Sequence, residues 1–364
     1  MKRDVYLNNS AIITGLGSLD QTWNALLANR SGIVEKEHFA NSLLPRTGLS
    51  LYQRELSEPP ENVTQSLMEE CLADLRRLPK DTFLIWTGIK NNVEAIESLH
   101  HEAKTPCLAS AHAFRSWLTD LLGVNNGGME INAACASSTV GVAMAAQYIA
   151  EGTYDHVFVA GADIVSRFVY YGFASLKAMT EERCMPFDRR RNGLSLGDGA
   201  VGLFLSAERD SDIRIAGYGV TNDANHITGP SKDGSGLAMA LRQAVAMSKK
   251  EPGDIQAFCG HGTATLYNDS MELLATHSVF GDESPPIFGV KGAIGHTLGA
   301  AGGIEIALCG KCLEEGVLPP TVGCGSPESP LVTLERTKFS GENIITSNSG
   351  FGGVNAAILM ERLA

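Results

Sequence analysis

The stretch from Met129 to Asp163 restricts the fold more than any other part of this sequence. MEIN reads as a strand, AAC as a tight turn, ASSTVGVAMAAQYIAEG as a helix rich in small residues, and HVFVAGAD as a second strand. That order brings the chain back in its original direction, so the strands pair in parallel and the helix covers one sheet face. The same rhythm runs along the whole chain. Ser10 to Thr14 predicts a strand closed by GLG, with a short helix near Trp23 to Leu27. Val63 to Leu78 is amphipathic, Thr82 to Thr87 predicts a buried strand, and Ala111 to Leu122 a helix. In the second half, strands are predicted at Val201 to Ser206, Ile213 to Val220, Ile255 to Cys259, Asn343 to Ser347 and Val354 to Met360. Helices are predicted at Leu237 to Lys249, Asn268 to Phe280 and His296 to Glu315. The result is an α/β chain of two similar βαβ-rich halves, 1–208 and 209–364, with no repeat visible residue for residue.

Composition fits one compact unit. With 364 residues, 44% of them apolar, and 39 glycines, the chain can bury a large core and make many tight turns. The formal charge of −12 argues against a general nucleic-acid or anionic-membrane surface. Arg189, Arg190 and Arg191 form the only dense basic run, read first as a solvated loop and second as a docking patch for an acidic partner. The opening MKRDVYLNNS has no apolar core of a signal peptide, and no segment approaches the roughly 20 apolar residues of a membrane span. A cytoplasmic location is expected. The eight cysteines (Cys71, Cys107, Cys135, Cys184, Cys259, Cys309, Cys312 and Cys324) are scattered, which predicts reduced and mostly buried thiols. Cys309 and Cys312 form a CxxC within the last long helical pattern, without a second CxxC, and are expected to be packing residues rather than a zinc site.

Three residues point to chemistry. Cys135 lies where a predicted strand ends and a helix begins, with Ser137 and Ser138 placed to cap the helix. A helix N-terminus offers partial positive charge and free amides that stabilise a thiolate and bind an oxyanion. His261, in CGHGTAT, follows a strand directly, and His296, in KGAIGHTLGAAGG, is expected at a helix start. Sites in open α/β sheets gather at the carboxyl ends of strands, so the three turns converge on one crevice. Other motifs lack context. GLSLG at 193–197 satisfies GxSxG around Ser195 but follows polar residues and enters an apolar run, not a helix. ITGLGSLD carries Asp20 where a dinucleotide fingerprint needs its third glycine. Gly295, Gly299 and Gly303 are expected on one helix face for close packing.

INAACASSTVG, AGAD, PFDRRRNGLSLGDGA, DANHITGP, HGTATLYNDSMELLA, GVKGAIGHTLGAAGGIE and SNSGFGGVNAAIL follow one another as in β-ketoacyl-acyl-carrier-protein synthases of the decarboxylating Cys-His-His type. The chain resembles that family from Gly127 onward, with ITGLG and ANRSGI similar to its opening strand and loop. The resemblance implies a thiolase-like fold layered α-β-α-β-α and a 3-oxoacyl-[acyl-carrier-protein] synthase activity in fatty-acid or polyketide biosynthesis. Cys135 resembles the nucleophile that carries the acyl thioester. His261 and His296 resemble the pair that stabilises the enolate left by decarboxylation of malonyl-carrier protein. The backbone amides of Cys135 and Phe351 correspond to the oxyanion hole, and the Phe351 side chain to a gate between the two substrates. Lys291 and Glu305 match a charged pair ordering the site around His296, and Thr263 and Thr265 match contacts to the phosphopantetheine arm. No metal or bound cofactor is implied; the phosphopantetheine arrives on an acyl carrier protein. The implied assembly is a homodimer, or a heterodimer with a second ketosynthase-like subunit. Residues 33–126 depart from the family pattern and SNSGFGG is one residue short, which points towards a specialised pathway such as type II polyketide or polyene assembly. The alternative reading is a chain-length-factor-like partner subunit, against which the retained Cys135, His261 and His296 weigh. A thiolase acting on coenzyme A substrates would carry a second cysteine in a CxGGG setting, where this chain has GFGGVN.

Overall fold

The computed structural model describes residues 3–37, 46–54, 62–89, 93–98 and 110–364. Ten strands form the spine of one sheet. In the first half these are β1 (Tyr6–Thr14), β2 (Phe83–Trp86), β3 (Gly128–Glu130), β4 (His156–Asp163) and β5 (Gly199–Ser206). In the second they are β6 (Ile213–Asn222), β7 (Ala257–Cys259), β8 (Ile287–Phe288), β9 (Asn343–Gly350) and β10 (Val354–Arg362). Across the sheet the order is β8-β7-β9-β10-β6-β1-β5-β4-β2-β3. Taken from its outer edge inwards, the second half runs third, second, fourth, fifth, first among its own strands. The first half, from its own edge, runs third, second, fourth, fifth, first as well. The pairings repeat too: β2 is parallel to β3 and β4, with β5 and β1 antiparallel beyond. Likewise β7 is parallel to β8 and β9, with β10 and β6 antiparallel beyond. The halves join where β1 meets β6 at Tyr6 and Arg214.

Besides short helical pieces such as Val93–Ser98, the helices are α1 (Leu19–Leu27), α2 (Val63–Leu72), α3 (Ala111–Leu122), α4 (Ser137–Glu151), α5 (Arg167–Ser175), α6 (Ser235–Ser248), α7 (Leu266–Phe280) and α8 (Ala301–Glu315). Side by side, α4 and α8 touch β4 and β5 on one side and β9 and β10 on the other. On the outer faces, α2 covers β1, β4 and β5, while α6 covers β6 and β10 with α7 packed beside it. This gives five layers, α-β-α-β-α. A helix between the two halves of the sheet must be apolar on all sides and thin, and α8 is buried from Ala301 to Gly310. Glycine makes the close approach possible: a Cβ on Gly141 would sit 2.7 Å from Thr87 Cγ2. Strand β4 is buried at every residue after His156, as expected where helices cover both faces.

Several expectations need correction. His296 to Glu315 is not one helix. A single turn at Lys291–Ile294 ends at Gly295 (φ +70°), a 3-10 turn spans Leu298–Ala300, and only then does α8 begin. Gly295, Gly299 and Gly303 thus share no helix face, yet each is tightly packed: a Cβ there would lie 2.6 Å from Leu196 O, 2.7 Å from Thr87 O and 2.8 Å from Val201 Cγ1, respectively. The arginine run is not simply solvated: Arg191 is buried, donating to the carbonyls of Thr265 and Leu266 and to Ser270 Oγ. Cys309 and Cys312 are fully buried in α8, and the seven described cysteines are free. Cys107 lies outside the described residues. Ser195 is buried, with no strand-to-helix elbow around it. Among the described residues no helix is long and apolar enough to cross a membrane.

Candidate active site

Beyond β3 the chain turns sharply through Ala134, whose φ of +50° is strained for a residue with a side chain, and presents Cys135 at the entrance to α4. Ser137 and Ser138 brace this turn rather than cap the helix. Ser137 Oγ accepts from Ala133 N and donates to Ala134 O, and Ser138 Oγ accepts from Gly303 N, tying α4 to α8. The backbone amides of Phe351 and of Cys135 itself favour the charged form of this thiol. Phe351 reaches it because β9 ends in a glycine turn, with Gly352 and Gly353 at φ +85° and +80°. Burial nevertheless pushes the Cys135 thiol up to about 12, opposed by the charge of Lys291. Desolvation here outweighs the stabilisation that the helix end offers a thiolate.

His261 follows β7. Its amide and that of Gly262 donate to the two oxygens of Glu272, which pin the loop from α7. Burial, then repulsion by Asp269, pushes the Glu272 carboxyl up to about 8. His296 N donates to Ser195 O at 2.7 Å. The two imidazoles stand edge to face, their centroids 5.2 Å apart. Burial drives both well below the ordinary histidine range, and the Lys291 charge adds to it, so both rings are neutral.

Lys291 and Glu305, each 1% exposed, form a buried ion pair. The pair stands behind both rings: Lys291 Nζ donates to His261 O and lies 3.2 Å from His261 Nδ1, and its charge also lowers His296, whose Nδ1 has no hydrogen-bond partner among the described residues. Thr263 and Thr265 share a hydroxyl–hydroxyl hydrogen bond of 2.9 Å. The Phe351 ring stacks on Phe173 of α5 at 5.7 Å, and Phe173 meets the edge of His296 at 6.4 Å.

A cavity of about 430 Å³ carries Cys135, His261, His296, Thr263, Thr265 and Phe351 on its wall. Lys291 and Glu305 sit behind it. Three contributors escape sequence reasoning: Asn348, Phe173 and Glu272. Asn348 lies inside SNSGFGG and Glu272 inside HGTATLYNDSMELLA, so the motifs contain them without distinguishing their roles. Nothing in the sequence signals Phe173.

Residues 62–211 match the description "Beta-ketoacyl synthase, N-terminal domain", and residues 213–325 match "Beta-ketoacyl synthase, C-terminal domain". The chain belongs to the β-ketoacyl synthase family. That family is one of condensing acyltransferases. The chain is 33% identical to the actinorhodin polyketide putative beta-ketoacyl synthase 1 of Streptomyces coelicolor, over 63% of this chain and 54% of that protein. It is 26% identical to the 3-oxoacyl-[acyl-carrier-protein] synthase 2 of Vibrio cholerae, over 97% of this chain and 99% of that protein. Among solved structures, the ishigamide ketosynthase/chain length factor superposes with a TM-score of 0.87 at 24% identity, covering 100% of both chains. A beta-ketoacyl synthase from Burkholderia phymatum gives 0.84 at 23%, again over 100% of both. These likenesses establish the thiolase-like fold.

Proposed function

We propose that this synthase extends an acyl chain by decarboxylative Claisen condensation with malonyl-carrier protein, using Cys135 as nucleophile. The observation that carries the reading is the convergence of Cys135, His261 and His296 on one cavity. In this reading residues 1–208 supply the nucleophile and 209–364 the histidines.

Cys135 Sγ attacks the acyl-carrier thioester. A new C–S bond forms, the C–S bond to phosphopantetheine breaks, and the carrier thiol leaves with the proton that Cys135 gives up. The amides of Cys135 and Phe351 hold the oxyanion on the way. Malonyl-carrier protein then enters past Thr263 and Thr265. Its carboxylate departs as carbon dioxide, and the electron pair moves onto the thioester oxygen, where neutral His261 and His296 donate hydrogen bonds. The enolate carbon attacks the Cys135 thioester, forming the C–C bond and breaking the C–S bond. The Cys135 thiolate that leaves takes one proton from solvent, its own having gone with the first carrier thiol, and the β-ketoacyl product stays on the carrier. Splitting the reaction in two is the gain of covalent catalysis.

One structure of matching fold is described as a type II polyketide acyl-carrier protein in complex with its ketosynthase, and others as ketosynthase and chain length factor together. By this analogy the partners here are an acyl carrier protein and a second copy or a ketosynthase-like subunit, in a fatty-acid or type II polyketide pathway. Intact-protein mass spectrometry against a panel of acyl-carrier thioesters tests it: an adduct on the wild type and none on Cys135→Ala supports the synthase. Folded wild type without any adduct moves the reading to a chain-length-factor-like subunit.

A further inference from the structure

We propose that Asn348 is a positioning residue that fixes the tautomer of His261, so that this ring presents Nε2–H to the cavity; the inference rests on the condensing role given to His261 above. Asn348 lies in β9, is fully buried, and uses its whole amide. Nδ2 donates to Glu305 Oε2 at 2.8 Å and to His261 Nδ1 at 2.9 Å, and Oδ1 accepts from the Thr139 hydroxyl.

The orientation of that amide is forced. Glu305 is ion-paired to Lys291 through Oε1, and its other oxygen offers Asn348 only lone pairs, so the NH₂ end must face it. The second hydrogen of the same NH₂ then points at His261 Nδ1. On its other side Nδ1 meets Lys291 Nζ at 3.2 Å, an ammonium with no lone pair to give. A proton on Nδ1 would confront two donors and no acceptor, so the lone pair sits at Nδ1 and the proton at Nε2. His296 is different: its Nδ1 has no hydrogen-bond partner among the described residues. The close approach depends on Gly302, where a Cβ would lie 1.9 Å from Thr139 Oγ1 and 2.4 Å from Asn348 Oδ1.

Long-range ¹H–¹⁵N correlation spectra of the full chain labelled with ¹⁵N-histidine, assigned with His261→Gln, read the tautomer directly near neutral pH. The wild type should show His261 as Nε2–H. Asn348→Asp keeps the shape but replaces the donor with an acceptor, so His261 should move to Nδ1–H or to imidazolium. Condensation should fall about 10²- to 10⁴-fold, the range for a misplaced catalytic proton, while acyl loading of Cys135 persists. Thr139→Val removes only the donor to Oδ1, and Glu305 still orients the amide, so Nε2–H should survive. A purely structural Asn348 would lower thermal stability and leave the tautomer alone. Nε2–H retained in Asn348→Asp, or Nδ1–H found in the wild type, overturns the proposal. A locked Nε2–H in a wild type that never becomes acylated sinks the synthase reading and leaves the positioning role standing.

Discussion

Glu305→Ala strikes the buried pair behind the site and has a calculable size. Lys291 and Glu305 are each 1% exposed, so removing the carboxylate leaves an ammonium in the core beside His261 and its carbonyl without the carboxylate paired to it. Stranding one partner of a buried pair costs about 3–5 kcal/mol. Unfolding entropy near 2.1 cal/mol/K per residue gives about 0.76 kcal/mol/K for a chain of 364 residues. The loss therefore lowers Tm by about 4–7 °C in scanning calorimetry. Lys291→Met combined with Glu305→Leu removes both charges and should recover most of the Tm, because an apolar replacement of a buried pair is close to neutral. That double variant should stay inactive, having lost the contacts that hold His261 and Asn348. A Tm within about 1 °C of wild type for Glu305→Ala, which is roughly no loss on the same scale, would refute the dry, coupled pair inferred here.

Three further outcomes follow from the site. With the Cys135 thiol pushed up to about 12, alkylation by iodoacetamide at pH 8 should run roughly 10³-fold slower than for a free thiol near 8.5 and still climb above pH 9; a plateau near neutrality contradicts this. Because burial holds His261 below its unfolded value, the unfolded chain binds a proton that the folded ring refuses below about pH 6.5, so stability is lost as pH falls. His261→Gln should reduce the slope of unfolding free energy between about pH 5 and 6 by about 1.4 kcal/mol per unit, while the raised Glu272 and Asp269, whose effect has the opposite sign, cancel in the comparison; an unchanged slope argues against a neutral buried ring. Arg189 and Lys232 line a surface depression that shares Leu266 and Tyr267 with the cavity, so Lys232→Glu should raise KM for a carrier-bound substrate several-fold and leave a small thioester unaffected; equal losses on both would deny a docking role.

Most strands and helices are legible in the sequence because their apolar periods are strong, and the nucleophile and histidines because each sits in a distinctive glycine-bordered turn. The repeated topology is not legible, since strand order is a property of backbone pairing that side chains need not echo. The helix expected from His296 fails because Gly295 and Leu298 adopt left-handed conformations that apolar periodicity does not register. The direct contacts of Lys291 with His261 are not legible either, because they join residues thirty positions apart. Asn348 stays hidden because its role arises from Thr139, His261 and Glu305, brought together from distant parts of the chain.

The most direct test isolates the enzyme already acylated on Cys135, adds malonyl-carrier protein, and follows carbon dioxide and the mass of enzyme and carrier together. The account predicts one carbon dioxide for each acyl group that leaves Cys135, with that acyl group recovered on the carrier as the β-ketoacyl product. Carbon dioxide released while the acyl group stays on Cys135, or an acyl-enzyme inert to malonyl-carrier protein, would contradict it.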